Sequence, residues 1–237
     1  MTAVQLFRGR EGDGAAEFAG ESAVCDWRGA LFFPDLSLLA VSDLHLEKGS
    51  SAARRGSLVP PYDTAATLAR LKSAIDDFAP KIVVSLGDSF HDGEGSARMP
   101  DVFRDVLVSL MAGRDWFWVS GNHDPDPPKG VGGESVQELS IASLLFRHEP
   151  SPDAGEGEIA GHLHPCARIV QRGRSVRRRC FAADGRRMIM PAFGSYTGSL
   201  NVLDRAFAGL FRRDGLTAYM LGVDRTYAIA GRMLRPG

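Results

Sequence analysis

With 237 residues, 44% of them hydrophobic and 24% charged, the chain can bury a substantial core and is too apolar for a disordered segment. A formal net charge of −1 gives no global pull toward nucleic acid or membrane, so any electrostatic partner has to be sought in local patches. No apolar run approaches the roughly 18–20 residues that span a bilayer. The N-terminal stretch MTAVQLFRGREGDG lacks the apolar core of a secretory signal, and Cys25, Cys166 and Cys180, with no CxxC spacing, read as reduced thiols. The expectation is a cytoplasmic protein, one α/β domain over residues 1–237, with no membrane partner.

In chain order, residues 1–42 carry short strand patterns, AVQLF, SAVCDW, ALFF and LSLLAVS, broken by Gly, Asp and Pro. PPYDTAATLARLKSAIDDFAP (60–80) predicts a helix. Asp63 or Thr64 is its expected N-cap, Ala65, Leu68, Leu71, Ile75 and Phe78 form one apolar stripe, and Pro80 follows its end. KIVVSLGD (81–88) has the short, continuously apolar pattern of a buried parallel strand. PDVFRDVLVSLMAG (100–113) predicts a second helix, and WFWVS the next strand. This alternation implies βαβ units. Beyond residue 134 the pattern changes to short strands: ASLLFRH, GEIAG, ARIVQR, SVRRRCFAADGRRMIMP with a hairpin turn at Asp184-Gly185, and LTAYMLGVDRTYAIAG. DGEGSAR (92–98), PDPPKGVGGE (125–134) and SPDAGEG (151–157) read as loops.

The strands end alike. LLAVSDLH stops at Asp43-x-His45, IVVSLGDSFHD at Asp88 with His91 and Asp92 just beyond, and FWVSGNHD at Asn122-His123-Asp124. SLLFRHEP stops at His148 and EIAGHLHP at His162-x-His164. All six histidines of the chain lie in these segments, where open α/β sheets bind their ligands. Imidazole, carboxylate and amide donors together suit Mn²⁺, Fe²⁺ or Zn²⁺. Two neighbouring dications repel, so an anion must lie between them, and Asp88 at its tight Gly-Asp turn can supply it. D-x-H and H-x-H place alternate donors on one side of an extended segment. We assign Asp43, His45 and His164 to one metal and Asn122, His148 and His162 to the other, with Asp88 bridging.

The series DLH, GD, GNHD, H and GHLH resembles the calcineurin-like metallophosphoesterases, and the assignment matches their motifs position by position. The resemblance implies two packed mixed β-sheets flanked by helices, two divalent metals and a metal-activated water as nucleophile. It also implies that His123 contacts the phosphate or protonates the leaving group, with Asp124 orienting it. His91 either touches substrate phosphate or hydrogen-bonds to the rim. DLHLEKGSSAARRGSLVPPYDTAATLARL (43–71) and PAFGSYTGSLNV (191–202) further resemble the bacterial ligase-associated DNA-damage-response phosphoesterases. That likeness implies a Mn²⁺-dependent phosphodiesterase with DNA endonuclease activity, working with an ATP-dependent DNA ligase and a helicase. RHEP departs from the His-His-Pro sequence expected around the metal histidine.

Independently of family, ARIVQRGRSVRRRCFAADGRR (167–187) is arginine-rich with almost no acid, a local patch of the kind that neutralises DNA phosphates. Arg177, Arg178 and Arg179 are its centre, and Arg54 and Arg55 are expected to extend it. Two rival readings use other substrates or none: a hydrolase of a small nucleotide or nucleotide-linked pyrophosphate, and a metal-free docking module.

Overall fold

A computed structural model describes residues 14–57, 62–212 and 215–237. The expected strand AVQLF lies outside these residues. The first sheet begins with the meander β1 (Gly14–Phe18), β2 (Glu21–Cys25), β3 (Leu31–Phe33) and β4 (Leu38–Ser42). The chain then passes through α1 (Lys48–Arg54) and α2 (Asp63–Phe78) to β5 (Ile82–Leu86), and through α3 (Gly95–Arg98) and α4 (Asp101–Met111) to β6 (Asp115–Val119). β7 (Glu134–Val136) closes this sheet, in which β4, β5, β6 and β7 are parallel neighbours, as the βαβ pattern requires.

The second sheet follows: β8 (Glu138–Ile141), β9 (Leu144–Arg147), β10 (Glu158–Ala160), β11 (Pro165–Gln171), β12 (Arg174–Ala183), β13 (Arg187–Ile189), β14 (Leu200–Asn201), β15 (Thr217–Leu221) and β16 (Thr226–Ala230). It too is mixed, with β9, β10 and β13 parallel and the β11–β12 hairpin antiparallel. The turn at Asp184-Gly185 joins β12 to β13 as expected, with Gly185 at φ 83°.

Strand alternation builds the layers. Leu39, Val41, Val83, Trp116 and Trp118 face Leu68, Leu71, Ile75, Leu107 and Leu110 of α2 and α4. Their neighbours Leu38, Ala40, Val84, Leu86 and Val119 face Phe146, Ile159, Phe181 and Met188 of the second sheet. The second sheet's outer side is sealed by Val202, Phe207, Leu210 and Leu234 from the C-terminal part of the chain. The result is the expected two-sheet sandwich, with α2 and α4 on the first sheet.

Local expectations differ in three places. EKGSSAAR, to which the sequence pattern assigns no element, contains α1. DGEGSAR, read as loop, contains α3, with Asp92 gripping Arg98 at 2.8 and 2.9 Å. Neither expected N-cap caps α2, which starts after Tyr62 without a side-chain cap. Asp63 and Thr64 instead reach across to α1: Gly49 N–H donates to Asp63 at 3.0 Å, and Glu47 N–H to Thr64 Oγ1 at 2.8 Å. A long-range pair of bonds therefore fixes the start of a short helix that propensity alone does not signal.

Candidate metal centre

β4, β5, β6, β9 and β10 all release their chains at one edge of the sandwich. The loops after β4 and β5 stay paired past the strand ends, through His45 N–H to Asp88 O at 2.8 Å and Leu46 N–H to Ser89 O at 2.9 Å. This carries Asp43 and Asp88 to adjacent depths. The donors are not extended, contrary to the alternation expected for D-x-H and H-x-H. Asp43, His45, Asp88, His162 and His164, five of the seven expected ligands, have positive φ between 43° and 65°. Left-handed backbone costs a non-glycine residue about 1–2 kcal/mol, so this concentration marks a site held by its surroundings. The turns, not strand pleating, aim these side chains. His162 accordingly serves one cluster and His164 the other.

Two groups of donors converge, Asp43 with His45 and His164, and Asp88 with His148 and His162. In the first, His164 Nε2 lies 3.1 Å from Asp43 Oδ1 and 3.4 Å from His45 Nε2. In the second, Asn122 Oδ1 lies 2.9 Å from His148 Nε2 and 3.1 Å from His162 Nδ1, and these two ring nitrogens are 3.2 Å apart. Asp88 Oδ2 sits between, 3.5 Å from His148 Nε2 and 4.0 Å from His45 Nε2. Gly161 permits the close approach: a Cβ there would lie 1.9 Å from Ser42 Oγ and 2.6 Å from Asp43 Oδ2.

The tautomers say what fits. His148 Nδ1 lies 3.0 Å from the Leu86 carbonyl, which only accepts, so the neutral ring keeps its proton there. Its Nε2 lone pair then faces the Asn122 oxygen, a carboxylate and another imidazole, an arrangement that needs a positive centre. In the first group, Asp43 Oδ1 is buried without a hydrogen bond. These residues fit two dications, with Asp88 shared.

Charge follows the same geometry. Burial works against ionised Asp43, but the His164 and His148 rings outweigh it and hold the carboxyl below its usual range. Burial opposes Asp88 as well, and His148 and the His123 N–H pull it down to about 2. Burial depresses His148, yet Asp88 and Asp43 raise it to about 9, whereas burial dominates at His45 and lowers it to about 4. Without metal, a proton on His148 therefore balances the second cluster, and a metal must displace it. Metal affinity is expected to rise about tenfold per pH unit from neutrality until the pH nears about 9, with proton release visible by calorimetry in buffers of different ionisation enthalpy. A flat affinity over that range would contradict this protonation.

Around the donors, His123 stacks on His91 with ring centroids 5.5 Å apart, and both meet His45 edge-on. His91 Nε2 accepts from Arg55 at 3.1 Å on the rim of the clusters. The Asp124 carboxylate makes no hydrogen bond to the His123 ring. Its Oδ2 accepts from Phe90 N–H at 2.9 Å and pins the loop after β5, while His123 N–H donates to Asp88 Oδ1 at 2.9 Å. Burial pushes Asp124 up to about 7, the Phe90 N–H opposing it and the Asp88 charge assisting.

The basic patch divides. Arg177 and Arg178 are exposed, whereas Arg179 is turned inward onto the carbonyls of Ala192 and Gly194 at 3.0 Å and of Thr197 at 3.3 Å. It is a clamp on a neighbouring segment, not an exposed phosphate ligand. Arg54 is exposed at the end of α1. Sequence reasoning missed Arg70, which binds Phe193 O at 2.7 Å, and Lys48, which binds Tyr196 O at 3.0 Å. Lys48 follows the D-x-H motif by three residues, the one signal that could have found it. Phe193 is core, Tyr196 is half exposed, and all three cysteines are free and buried.

The sequence profile of calcineurin-like phosphoesterases matches residues 36–181, which span both donor clusters. The chain belongs to that family. This metal-dependent phosphoesterase is similar in structure to the nuclease MPE of Pseudomonas putida, with a TM-score of 0.70 and 26% identity, over 92% of this chain and 100% of that one. It also matches Yfce, a phosphoesterase from E. coli, with a TM-score of 0.41 and 16% identity, over 81% of this chain and 98% of that one. No curated protein matches the phosphoesterase by sequence. None of its helices, among the described residues, is long and apolar enough to cross a membrane.

Proposed function

We propose that this phosphoesterase hydrolyses phosphodiester bonds in DNA, as a Mn²⁺-dependent endonuclease on single strands in bacterial DNA repair. The observation that carries the reading is the open rim of the donor clusters, where His123, His91 and Arg55 stand together beside Asp88. Likeness to a nuclease over 92% of the chain supports it. When bound, two dications supply Lewis-acid charge that makes water a stronger acid and draws electron density from the phosphoryl group. His123, with its ring 44% exposed and Nε2 3.9 Å from Asp88 Oδ2, faces a phosphate held at the clusters and donates to its oxygens. Arg55 holds His91 and offers its remaining N–H groups to a phosphate. Asp124 fixes the loop that carries His91.

Mn²⁺ rather than Fe²⁺ or Zn²⁺, and an ATP-dependent ligase and a helicase as partners, rest on the resemblance to ligase-associated enzymes, and the cytoplasm as location rests on the reduced thiols and the signal-free N-terminal stretch. A second reading, hydrolysis of a small nucleotide or nucleotide-linked pyrophosphate, is favoured by a cavity of about 400 Å³ beside Asn122 and His148, lined also by Gln137, Glu138 and Arg147. The complete donor set argues against a metal-free docking module. The test is cleavage of circular single-stranded DNA by metal-stripped protein with and without Mn²⁺. Circles have no ends, so Mn²⁺-dependent linear product supports endonuclease chemistry. Intact circles, with a nucleotide pyrophosphate hydrolysed, would move the substrate to the second reading.

A further inference from the structure

Beside the clusters, the segment 192–197 is held in an unusual way. Arg70 and Arg179 both insert guanidinium groups beneath it and satisfy them on its oxygens: Phe193 O and Ser195 Oγ for Arg70, and Ala192, Gly194 and Thr197 O for Arg179. Burial lowers the basicity of both, and at Arg179 the Arg70 charge adds to it; no carboxylate among the described residues offsets either. Two largely buried cations without an acidic partner leave positive potential on the surface above them. The segment is also tied to the first metal cluster, through Phe193 N–H to Ser42 O at 2.7 Å and Gly194 N–H to Asp43 O at 3.0 Å. Its position is thus referenced to the donor Asp43.

What this platform presents outward is Tyr196. The residue has φ 60°, a conformation a bulky side chain adopts only under constraint, and its side chain is 49% exposed, so core packing does not explain it. Its carbonyl accepts from Lys48 Nζ at 3.0 Å. Lys48 lies within electrostatic reach of Asp63, Arg179 and Arg55, and Arg55 meets His91 at 3.1 Å. Arg177 donates to Ser199 O at 2.8 Å, two residues past the platform. Beyond the His91 ring, Arg55, Lys48, Tyr196 and Arg177 therefore form a track from the metal centre to the β11–β12 hairpin, three cations with the exposed Tyr196 ring among them.

We propose that Lys48 and Tyr196, on the platform set by Arg70 and Arg179, receive a single DNA strand beyond the scissile phosphate, Lys48 on a neighbouring phosphate and the Tyr196 ring stacked on an unpaired base. This rests on the DNA reading above. A stacked base needs a free face, so the track selects single strands over duplex. Arg179 is a positioning residue here.

The test is anisotropy of a labelled single-stranded oligonucleotide with the full chain in chelator, across a salt series, beside cleavage with Mn²⁺. Tyr196→Ala is expected to weaken binding about tenfold, and Tyr196→Phe to restore it. Lys48→Met is expected to lower the salt slope by about 0.7, the loss of one contact to a single strand. Both Tyr196→Ala and Lys48→Met should lower the rate ratio of oligonucleotide to small-diester cleavage. Melting curves superimposable on wild type exclude misfolding. Wild-type binding with both variants unchanged in affinity and slope would overturn the track and leave the DNA reading intact. Wild type that hydrolyses a small diester but neither binds nor cuts the oligonucleotide would overturn the DNA reading and the track together.

Discussion

Asp88→Ala is expected to lower hydrolysis of every phosphodiester, large or small, on the order of a thousand-fold. One carboxylate does three jobs. Its Oδ2 lies within 4.0 Å of His45 Nε2 and of His123 Nε2, and 3.5 Å from His148 Nε2, while its Oδ1 accepts the His123 backbone N–H. Removing it takes away the anion between the two clusters, the charge that holds His148 protonated without metal, and the tether of the GNHD turn. Metal content should fall from two ions to one or fewer per chain, measured by elemental analysis after dialysis. Asp88→Asn separates these effects, since the amide oxygen still accepts from His123 N–H but carries no charge. A variant lacking the carboxylate that kept two metals and wild-type rate would refute the bridging assignment.

Gly121→Ala should be nearly as damaging although it touches no ligand atom's identity. A Cβ at Gly121 would stand 2.1 Å from Asp88 N, 2.3 Å from Asp88 Oδ1 and 2.6 Å from Asp124 Oδ1. The first of these is backbone and cannot swing aside, so the turns after β5 and β6 must separate. Overpacking of this kind costs about 1–3 kcal/mol. The displacement also moves Asp88 away from Asn122 and His148, and metal affinity is expected to drop about 10–100-fold, as it does when a group supporting a ligand is lost. Thermal melting with and without Mn²⁺ measures both. Unchanged melting and unchanged metal stabilisation would mean that the two turns are not in this contact.

The strand–helix alternation from residue 38 to 119 was legible because each buried parallel strand is a short apolar run ending in Gly or Ser before polar residues. Since ligands gather at the carboxyl ends of such strands, the placement of Asp43, Asp88, Asn122 and His148 at one edge could be read from sequence. How the donors turn could not. Positive φ at His45, His162 and His164 depends on hydrogen bonds between loops from different strands, such as His45 N–H to Asp88 O. Arg177, Arg178 and Arg179 are indistinguishable in sequence, yet Arg179 clamps the carbonyls of residues 192, 194 and 197. Asp124 follows His123 directly and still bonds Phe90, because the loop after β5 offers it an N–H that the imidazole does not replace. α1 was hidden because Asp63 and Thr64, its anchors, lie a full loop away.

Seven donors are expected to hold two dications with Asp88 shared. Anomalous diffraction from crystals soaked in Mn²⁺ tests this most directly. Two peaks per chain are expected, one among Asp43, His45 and His164 and one among Asn122, His148 and His162, with Asp88 contacting both. A single peak, or peaks away from these side chains, would contradict it.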